Sequence, residues 1–195
     1  MAAATYKSTA AKWRYFDGSW ITATTAGNYA PALAVGYTGG KHTESYWKFD
    51  LSPLKGRIIT KATLRLYLKH RYGENPIYLT ACSSISGSTG AYDLGSDVSA
   101  VLTGSGWKSI DVTGIIESII EGGYVRAYGK ATSGIYHDFA TQSSYPAQLE
   151  VEYLTDGVQV RTAQGWKPAK AVYVNTGGRW EPAGDLMINI QDKWK

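Results

Sequence analysis

The chain has 195 residues, enough for one domain with a proper core plus a smaller appendage. Charged residues make up only 18% of it and aromatic residues 13%, with 15 Tyr and 7 Trp, a composition that favours β-sheets over helices. The 20 basic and 16 acidic residues are scattered, so the net charge of +4 contains no basic arm for nucleic acid. No apolar run reaches the ~18 residues of a membrane-spanning helix. We therefore expect an all-β protein with neither a nucleic-acid nor a membrane partner.

Two features bear on where the protein is made and on its redox chemistry. The first seven residues contain no apolar stretch of the kind found in signal peptides, so we expect synthesis in the host cytoplasm and release by another route. Cys82 is the single cysteine, which excludes a disulfide within the chain. A lone Cys with no His nearby in sequence is expected to be a small buried apolar side chain rather than a nucleophile.

The first fifty residues predict a hairpin and two further strands. Aromatic and polar residues alternate over 6–20, and Asp17-Gly18 is a turn signal within that stretch. A short apolar segment follows at 32–35. The alternating segment 45–51 predicts a strand that ends at Ser52-Pro53.

The clearest strand in the sequence is 61–69. Small and aliphatic side chains at every second position predict a leucine ladder on one buried face, formed by Ala62, Leu64, Leu66 and Leu68. Residues 76–81 are predicted to be its antiparallel neighbour across the turn at 72–75. The Ser-, Gly- and Thr-rich stretch 83–106 is predicted to be an exposed loop with a short helical turn at 97–102.

One short helix is predicted at 111–121. Asp111 or Thr113 can cap its first turn, its isoleucines form an apolar stripe, and Gly122-Gly123 ends it. Two further strands are predicted at 124–128 and 148–153, on either side of a segment at 135–142.

Six segments follow one another in an order typical of a known domain family. They are Leu33-x-Val35-Gly36, Tyr46-x-Lys48-Phe49-Asp50-Leu51-Ser52-x-Leu54, Ile59-x-Lys61-Ala62-x-Leu64-x-Leu66-Tyr67, Trp107, Ile110-Asp111-Val112-Thr113, and Phe139-Ala140-Thr141 with Tyr145-Pro146-Ala147-Gln148-Leu149-x-Val151-x-Tyr153. In this pattern residues 29–153, about two-thirds of the chain, resemble the carbohydrate-binding-module-like domains known as DNRLRE domains. The resemblance implies an antiparallel jelly-roll β-sandwich capped by the helix, serving surface display, adhesion or carbohydrate recognition without catalysis. The family's charged motif after the leucine ladder is not evident, so no ligand site is carried over.

The C-terminus carries a repeat of 14 residues, marked by Trp166, Trp180 and Trp194. Each unit combines a strand, a short polar turn and a return strand that begins near the Trp, and the first two units then reach Pro-Ala. Such units resemble the short Trp repeats at the ends of structural proteins of bacteriophages from Gram-positive hosts. Residues 14–23 are a weaker echo of the same unit.

A unit this short cannot bury its tryptophan alone, so another surface must cover it. We therefore predict two parts, a jelly-roll β-sandwich at 1–155 and three repeats at 156–195 that serve assembly or docking. The predicted assembly residues are Trp166, Trp180, Trp194, Val172 and Val174. A small β-meander packed on its own sandwich is the alternative.

The sequence contains no recognisable catalytic motif, and we expect no catalytic residues, cofactor or metal. His137-Asp138 is the one close His/carboxylate pair, and we interpret it as an exposed loop histidine beside an acid. A structural calcium ion held by distant carboxylates is the alternative, with candidates Asp50, Asp93, Asp97 and Asp111.

Aromatic side chains can stack on sugar rings while their polar tips stay hydrated. Four such residues near the start of the chain are the candidate glycan contacts: Trp13, Trp20, Tyr37 and Trp47. Core or hairpin packing is the alternative role for each of them.

These features favour a non-enzymatic bacteriophage virion protein: a head decoration, head-fibre or tail-associated adhesion subunit. Its expected partners are other capsid or tail proteins, further copies of itself in a homo-oligomer such as a trimer, and a host-surface glycan. The alternative is a bacterial carbohydrate- or cell-wall-binding module acting as a lectin. An enzyme on a jelly roll is a third hypothesis, and it requires two carboxylates about 5 to 10 Å apart in a cleft.

Overall fold

A computed structural model describes most of the chain. The described residues are 2–16, 20–23, 32–83, 93–130, 135–141 and 143–154, followed by 159–162, 165–168, 173–176, 178–182, 189–190 and 193–194. The chain divides into two compact units, Met1–Leu154 and Thr155–Lys195. The prediction of an all-β, antiparallel, sandwich-like fold with one short α-helix is confirmed for these residues.

In its described part, the first unit is one curled, antiparallel sheet of 12 strands. The strands are β1 (Ala2–Lys7), β2 (Ala10–Phe16), β3 (Trp20–Ala23), β4 (Ala32–Thr38), β5 (Lys41–Lys48), β6 (Ile59–Tyr72), β7 (Ile77–Cys82), β8 (Asp93–Ala100), β9 (Gly106–Asp111), β10 (Tyr124–Tyr128), β11 (Ile135–Ala140) and β12 (Gln148–Tyr153). One 3₁₀ turn spans Ser52–Leu54, and a second, Thr113–Ile115, leads directly into helix α1 (Ile116–Gly122).

The long strand β6 explains how the sheet curls. Leu64 lies opposite both Leu149 of β12 and Ile110 of β9, while Leu68 lies opposite both Phe139 of β11 and Gly106 of β9. Since a strand has two edges, β12 and β11 follow each other along one edge of β6, and β9 occupies the other. The sheet therefore changes direction along a single strand, which brings its inner faces together around one core.

Strand β5 divides its edge in the same way. Thr43 lies opposite both Gly36 of β4 and Tyr15 of β2, and Glu44 lies opposite both Tyr128 of β10 and Arg14 of β2. Strands β4 and β10 thus follow each other along one edge of β5, with β2 on the other edge. This arrangement makes β5 an interior strand, and because five consecutive residues, 43–47, are buried, both of its faces are covered as well.

The predicted leucine ladder is confirmed. Ala62, Leu64, Leu66 and Leu68 are buried, and the side chains between them are only partly buried. Their inward face packs against apolar residues from the other strands and the helix in one continuous core. Burying each leucine in this way stabilises the fold by roughly 2 kcal/mol of transfer free energy.

The predicted helix and its C-terminal glycines are confirmed, but its predicted start is wrong: Asp111 lies in β9, and the α-helix begins at Ile116 after the 3₁₀ turn, without a side-chain cap. An Asp111 side-chain oxygen accepts a hydrogen bond from the Thr113 backbone N–H at 2.9 Å. Gly123 ends the helix in the left-handed conformation, at φ +75°, and its N–H donates to the Ile119 carbonyl. Gly122 is needed for a different reason: a Cβ there would lie 2.5 Å from the Cys82 carbonyl oxygen. The helix end therefore packs directly on the backbone of β7.

Three other sequence-based assignments are wrong. Strand β7 does not pair with β6; it lies between β10 and β8, because the turn after β6 carries the chain to another part of the sheet. The stretch after Cys82, predicted to be a loop with a helical turn, includes a strand, β8, which pairs with β7. Because β8 has few apolar residues, its sequence does not show the alternation typical of a strand. Trp107 lies in a further strand, β9, for which the sequence predicts no strand.

The second unit contains three short hairpins, each a separate two-stranded sheet in its described residues. They are β13 (Gln159–Thr162) with β14 (Gly165–Pro168), β15 (Tyr173–Thr176) with β16 (Arg179–Pro182), and β17 (Asn189–Ile190) with β18 (Lys193–Trp194). The prediction of C-terminal hairpin repeats is confirmed.

Candidate functional site

The three hairpins place their tryptophans at one equivalent position. Trp166 lies opposite Arg161, Trp180 opposite Asn175, and Trp194 opposite Asn189, so each Trp pairs with the residue five positions earlier. In each hairpin two residues separate the last pair of strand partners, the loop length that tight hairpins favour. The repeat in sequence is therefore also a repeat in backbone register.

The two valines predicted to take part in assembly are placed differently. Val174 lies in β15, opposite Glu181 of β16. Val172 lies outside the described residues, as do the side chains of the three tryptophans. Their role in assembly stays a prediction.

The hairpin at the start of the chain differs from these units in its register. Trp20 lies opposite Phe16, four residues earlier, and three residues separate the two. A shift of one residue between paired strands moves side chains to the opposite face. The segment 14–23, which weakly resembles the repeat in sequence, thus forms a hairpin of another type.

Two of the four candidate glycan contacts belong to the packing of the first unit. Trp47 is 2% exposed and its ring meets Phe139 edge-on, at 5.7 Å between ring centroids. Its assignment as a glycan contact is wrong, since β5 is covered on both faces and alternation there does not indicate exposure. Trp13 is partly buried against the same core, and its indole N–H is buried with no hydrogen-bond partner among the described residues.

The other two candidates remain open. Tyr37 is half-buried and packs edge-on against the His42 ring, with 4.8 Å between centroids. The side chain of Trp20 lies outside the described residues. The structure therefore does not assemble the four candidates into one glycan site.

A cluster of charges with a buried centre lies on the outer face of the sheet, across the neighbouring strands β2, β5, β10, β7 and β8. The Glu44 carboxylate is at its centre, with the residue 4% exposed. Arg14 donates to one Glu44 oxygen at 2.9 Å, and the Tyr46 hydroxyl donates to the same oxygen at 2.6 Å. Arg126 donates to the other Glu44 oxygen and also to Asp93. We call these five residues the Glu44 network.

The ionisation of the Glu44 network follows from its contacts. Burial alone would raise the pKa of Glu44, but hydrogen bonds and charge from Arg126, with Tyr46 and Arg14, outweigh it and lower that pKa. Burial and the neighbouring Glu44 carboxylate raise the pKa of the Tyr46 hydroxyl. Glu44 is thus held as an anion and Tyr46 as a neutral donor, an arrangement suited to structure rather than to proton transfer.

A second ionic group lies farther along the same face. The Tyr128 hydroxyl and Lys130 both donate to Asp97, the lysine at 3.1 Å. The Lys130 ammonium also lies 3.9 Å from the centre of the Tyr78 ring. Hydrogen bonds from Tyr128 and Lys130 lower the pKa of Asp97.

All four carboxylates proposed as calcium ligands have a hydrogen-bond or ion-pair partner within the protein. Asp93 and Asp97 are engaged by Arg126 and Lys130, while Asp50 and Asp111 accept hydrogen bonds from Ser52 and Thr113. In the part of the chain that the structure describes, no three His, Cys, Asp or Glu side chains group together as metal ligands would.

The His137-Asp138 pair does not lie in an exposed loop, so that interpretation is wrong. His137 is in β11 and is 2% exposed, and its Nε2–H donates to the Asn75 carbonyl at 3.2 Å. Burial lowers the pKa of His137, and the Arg71 charge acts in the same direction. Beside it lies a cavity of about 10 Å³, room for at most one water molecule.

The lone cysteine behaves as expected. Cys82 is fully buried at the end of β7, and burial raises its pKa to about 12. It is therefore a neutral apolar side chain in the folded protein.

The chain matches no known protein-family profile and no curated protein sequence. Among the described helical segments, none has the length and apolar character to cross a bilayer.

Proposed function

We propose that this protein is a non-enzymatic structural subunit of a bacteriophage virion, in which the C-terminal hairpins join the protein to other virion proteins and to further copies of itself. The sandwich is then the displayed part, as a head decoration, a head fibre or a tail-associated adhesion subunit. The observation that supports this proposal is the threefold recurrence of one hairpin with one register.

The physical argument concerns the stability of these hairpins. A two-stranded hairpin is marginal in water, and the longest of these strands has four residues. Each hairpin also has two strand edges that can pair with a further strand. Three units with the same register offer the same surface three times, which suits a partner that is itself repeated, such as an oligomer or a capsid lattice.

Light scattering on the full chain tests the assembly part of the proposal. We expect an oligomer, a trimer being three times 21.2 kDa, and we expect a monomer when Trp166, Trp180 and Trp194 are all replaced by Ala. Tyr145→Ala is the matched control, because it removes an exposed aromatic side chain from the sandwich and leaves the repeats intact. Monomers in both the full chain and the triple variant would exclude self-assembly through the repeats.

A second measurement tests the virion part. Peptides of this chain should be present in phage particles purified by density gradient from its source, at a stoichiometry that is constant between preparations. Particles that lack the chain would overturn the virion proposal even if the repeats assemble.

The alternative, a bacterial glycan- or cell-wall-binding module, is supported by an exposed aromatic surface on the sandwich. It predicts that binding to host cell wall persists in the triple tryptophan variant.

A further inference from the structure

Three aromatic rings meet on the outer face of the sheet, behind the leucine ladder. Tyr67 of β6 and Trp107 of β9 are cross-strand partners, with ring centroids 5.6 Å apart and planes nearly perpendicular. Tyr145, just before β12, stacks on Tyr67 at 4.0 Å with an interplanar angle of 9°. The Trp107 ring meets Tyr145 edge-on at 6.1 Å. Since Leu66 and Leu68 point into the core, this aromatic cluster faces outward.

An ion pair borders the aromatic cluster. Arg65 lies on the same face as Tyr67, and its guanidinium lies 5.2 Å from the centre of the Trp107 ring. The same guanidinium donates to a Glu150 carboxylate oxygen at 2.9 Å, and both side chains are partly exposed. These two side chains therefore provide several hydrogen-bonding groups with no net charge between them.

The most exposed member of the aromatic cluster is Tyr145, at 44%. Tyr67 covers one side of the Tyr145 ring. Solvent or a ligand can therefore reach only the other side. Three aromatic rings grouped at a protein surface offer more contact area than a single exposed side chain, and such groups are typical of binding surfaces. The stack and the cross-strand pair fix the orientation of the rings in advance of binding.

We propose that the aromatic cluster, with Arg65 and Glu150, binds a neutral glycan. The apolar C–H face of a pyranose packs on a tyrosine or tryptophan ring, and neighbouring hydroxyls can pair with a guanidinium and a carboxylate. Arg65 and Glu150 neutralise each other's charge. Glu150 would repel an anionic sugar and Arg65 would repel a cationic sugar, so a neutral sugar fits best. This inference rests on the proposed function in one respect only, that the sandwich is the displayed part.

Binding by the full chain tests the proposal. We would titrate it by calorimetry with neutral tetrasaccharides of glucose, galactose, mannose and N-acetylglucosamine, and with tetragalacturonate as the anionic probe. We expect binding of at least one neutral probe, about tenfold weaker in Tyr145→Ala and in Trp107→Ala, and weaker in Glu150→Gln. Tetragalacturonate should bind more weakly than that probe.

The same strand offers a matched control. Tyr72 is 47% exposed and stacks on Tyr136 at 4.4 Å, a comparable exposed stack away from the Arg65–Glu150 pair. Tyr72→Ala should leave glycan affinity unchanged. Thermal unfolding checks the fold of each variant, and if Trp107→Ala fails to fold, the loop variant Tyr145→Ala decides the outcome.

Three results would overturn the proposal: no binding of any neutral probe, equal affinity in wild type and Tyr145→Ala, or tighter binding of tetragalacturonate. Light scattering on Tyr145→Ala separates this inference from the assembly proposal. An oligomer that has lost its glycan affinity supports both, and an oligomer that binds no probe at all overturns the glycan site alone.

Discussion

The leucine ladder and the centre of the Glu44 network, formed by Arg14, Glu44 and Tyr46, are both buried on opposite faces of one sheet, yet by different physical means. Leu66 is 1% exposed and Arg14 is also 1% exposed. The leucine ladder consists of alternate residues of a single strand, whereas the Glu44 network combines side chains from four strands. Apolar burial is favourable for each side chain separately, while buried charges are tolerated only when every partner is in place.

The two faces therefore respond differently when one side chain is lost. Losing one leucine leaves a cavity that its neighbours can partly fill. Losing one member of the Glu44 network leaves charges already removed from water without the partner that compensated them.

The largest effect is expected for Glu44→Ala. Arg14 and Arg126 then lose the carboxylate that they share, and we expect the free energy of unfolding to fall by about 3 to 5 kcal/mol. Denaturation by urea measures it. Glu152→Ala is the control, since that carboxylate is exposed and 3.9 Å from Lys61, and it should cost no more than about 0.5 kcal/mol. Similar losses in the two variants would show that the Glu44 network is not a structural unit.

A smaller effect is expected for Leu66→Ala in the ladder. The lost transfer free energy and the remaining cavity together should lower the free energy of unfolding by about 3 kcal/mol. Val101→Ala, at an exposed position, should change it by less than about 0.5 kcal/mol. Chemical denaturation of the two variants side by side checks this, and a loss under about 1 kcal/mol for Leu66→Ala would contradict the packing described for β6.

The smallest effect is a pH dependence from His137, a buried polar group with no charged partner bonded to it. Its pKa in the folded protein is lowered by burial and by Arg71, against the opposing effects of the Asn75 carbonyl and Asp138. A folded-state pKa below the unfolded value of about 6.5 means that this stability is fully present above about pH 6.5 and is lost as the pH falls further.

Unfolding free energies measured from about pH 7 to about pH 5 should therefore decline in the wild type and decline less in His137→Gln. An identical slope in wild type and His137→Gln would mean that His137 does not couple folding to pH.

Local patterns predicted much of the fold. The ladder follows from alternation within nine residues, the helix from its isoleucines and terminal glycines, and the hairpins from a fixed spacing of tryptophans. Strands β10 and β12 begin and end where the sequence placed them. In each of these cases the determining residues are neighbours in the chain.

The rest depends on contacts between distant residues. The partner of β7 and the existence of β8 depend on where the sheet turns, which no single segment encodes. The Glu44 network joins positions 14, 44, 46, 93 and 126, and the aromatic cluster joins 67, 107 and 145. The burial of Trp47 depends on contacts with residues distant in the chain, such as Phe139, which alternation within β5 does not indicate.

The fixed register of the hairpins has a consequence for how this protein can evolve. Each loop lies wholly inside its 14-residue unit, so a duplication or deletion of 14 codons adds or removes one complete hairpin and leaves the others in register. If the hairpins attach the protein to its partners as we propose, the number of units sets the number of contacts that one molecule makes. Since linked contacts multiply overall affinity without any change in each one, selection can adjust the strength of attachment by copy number alone.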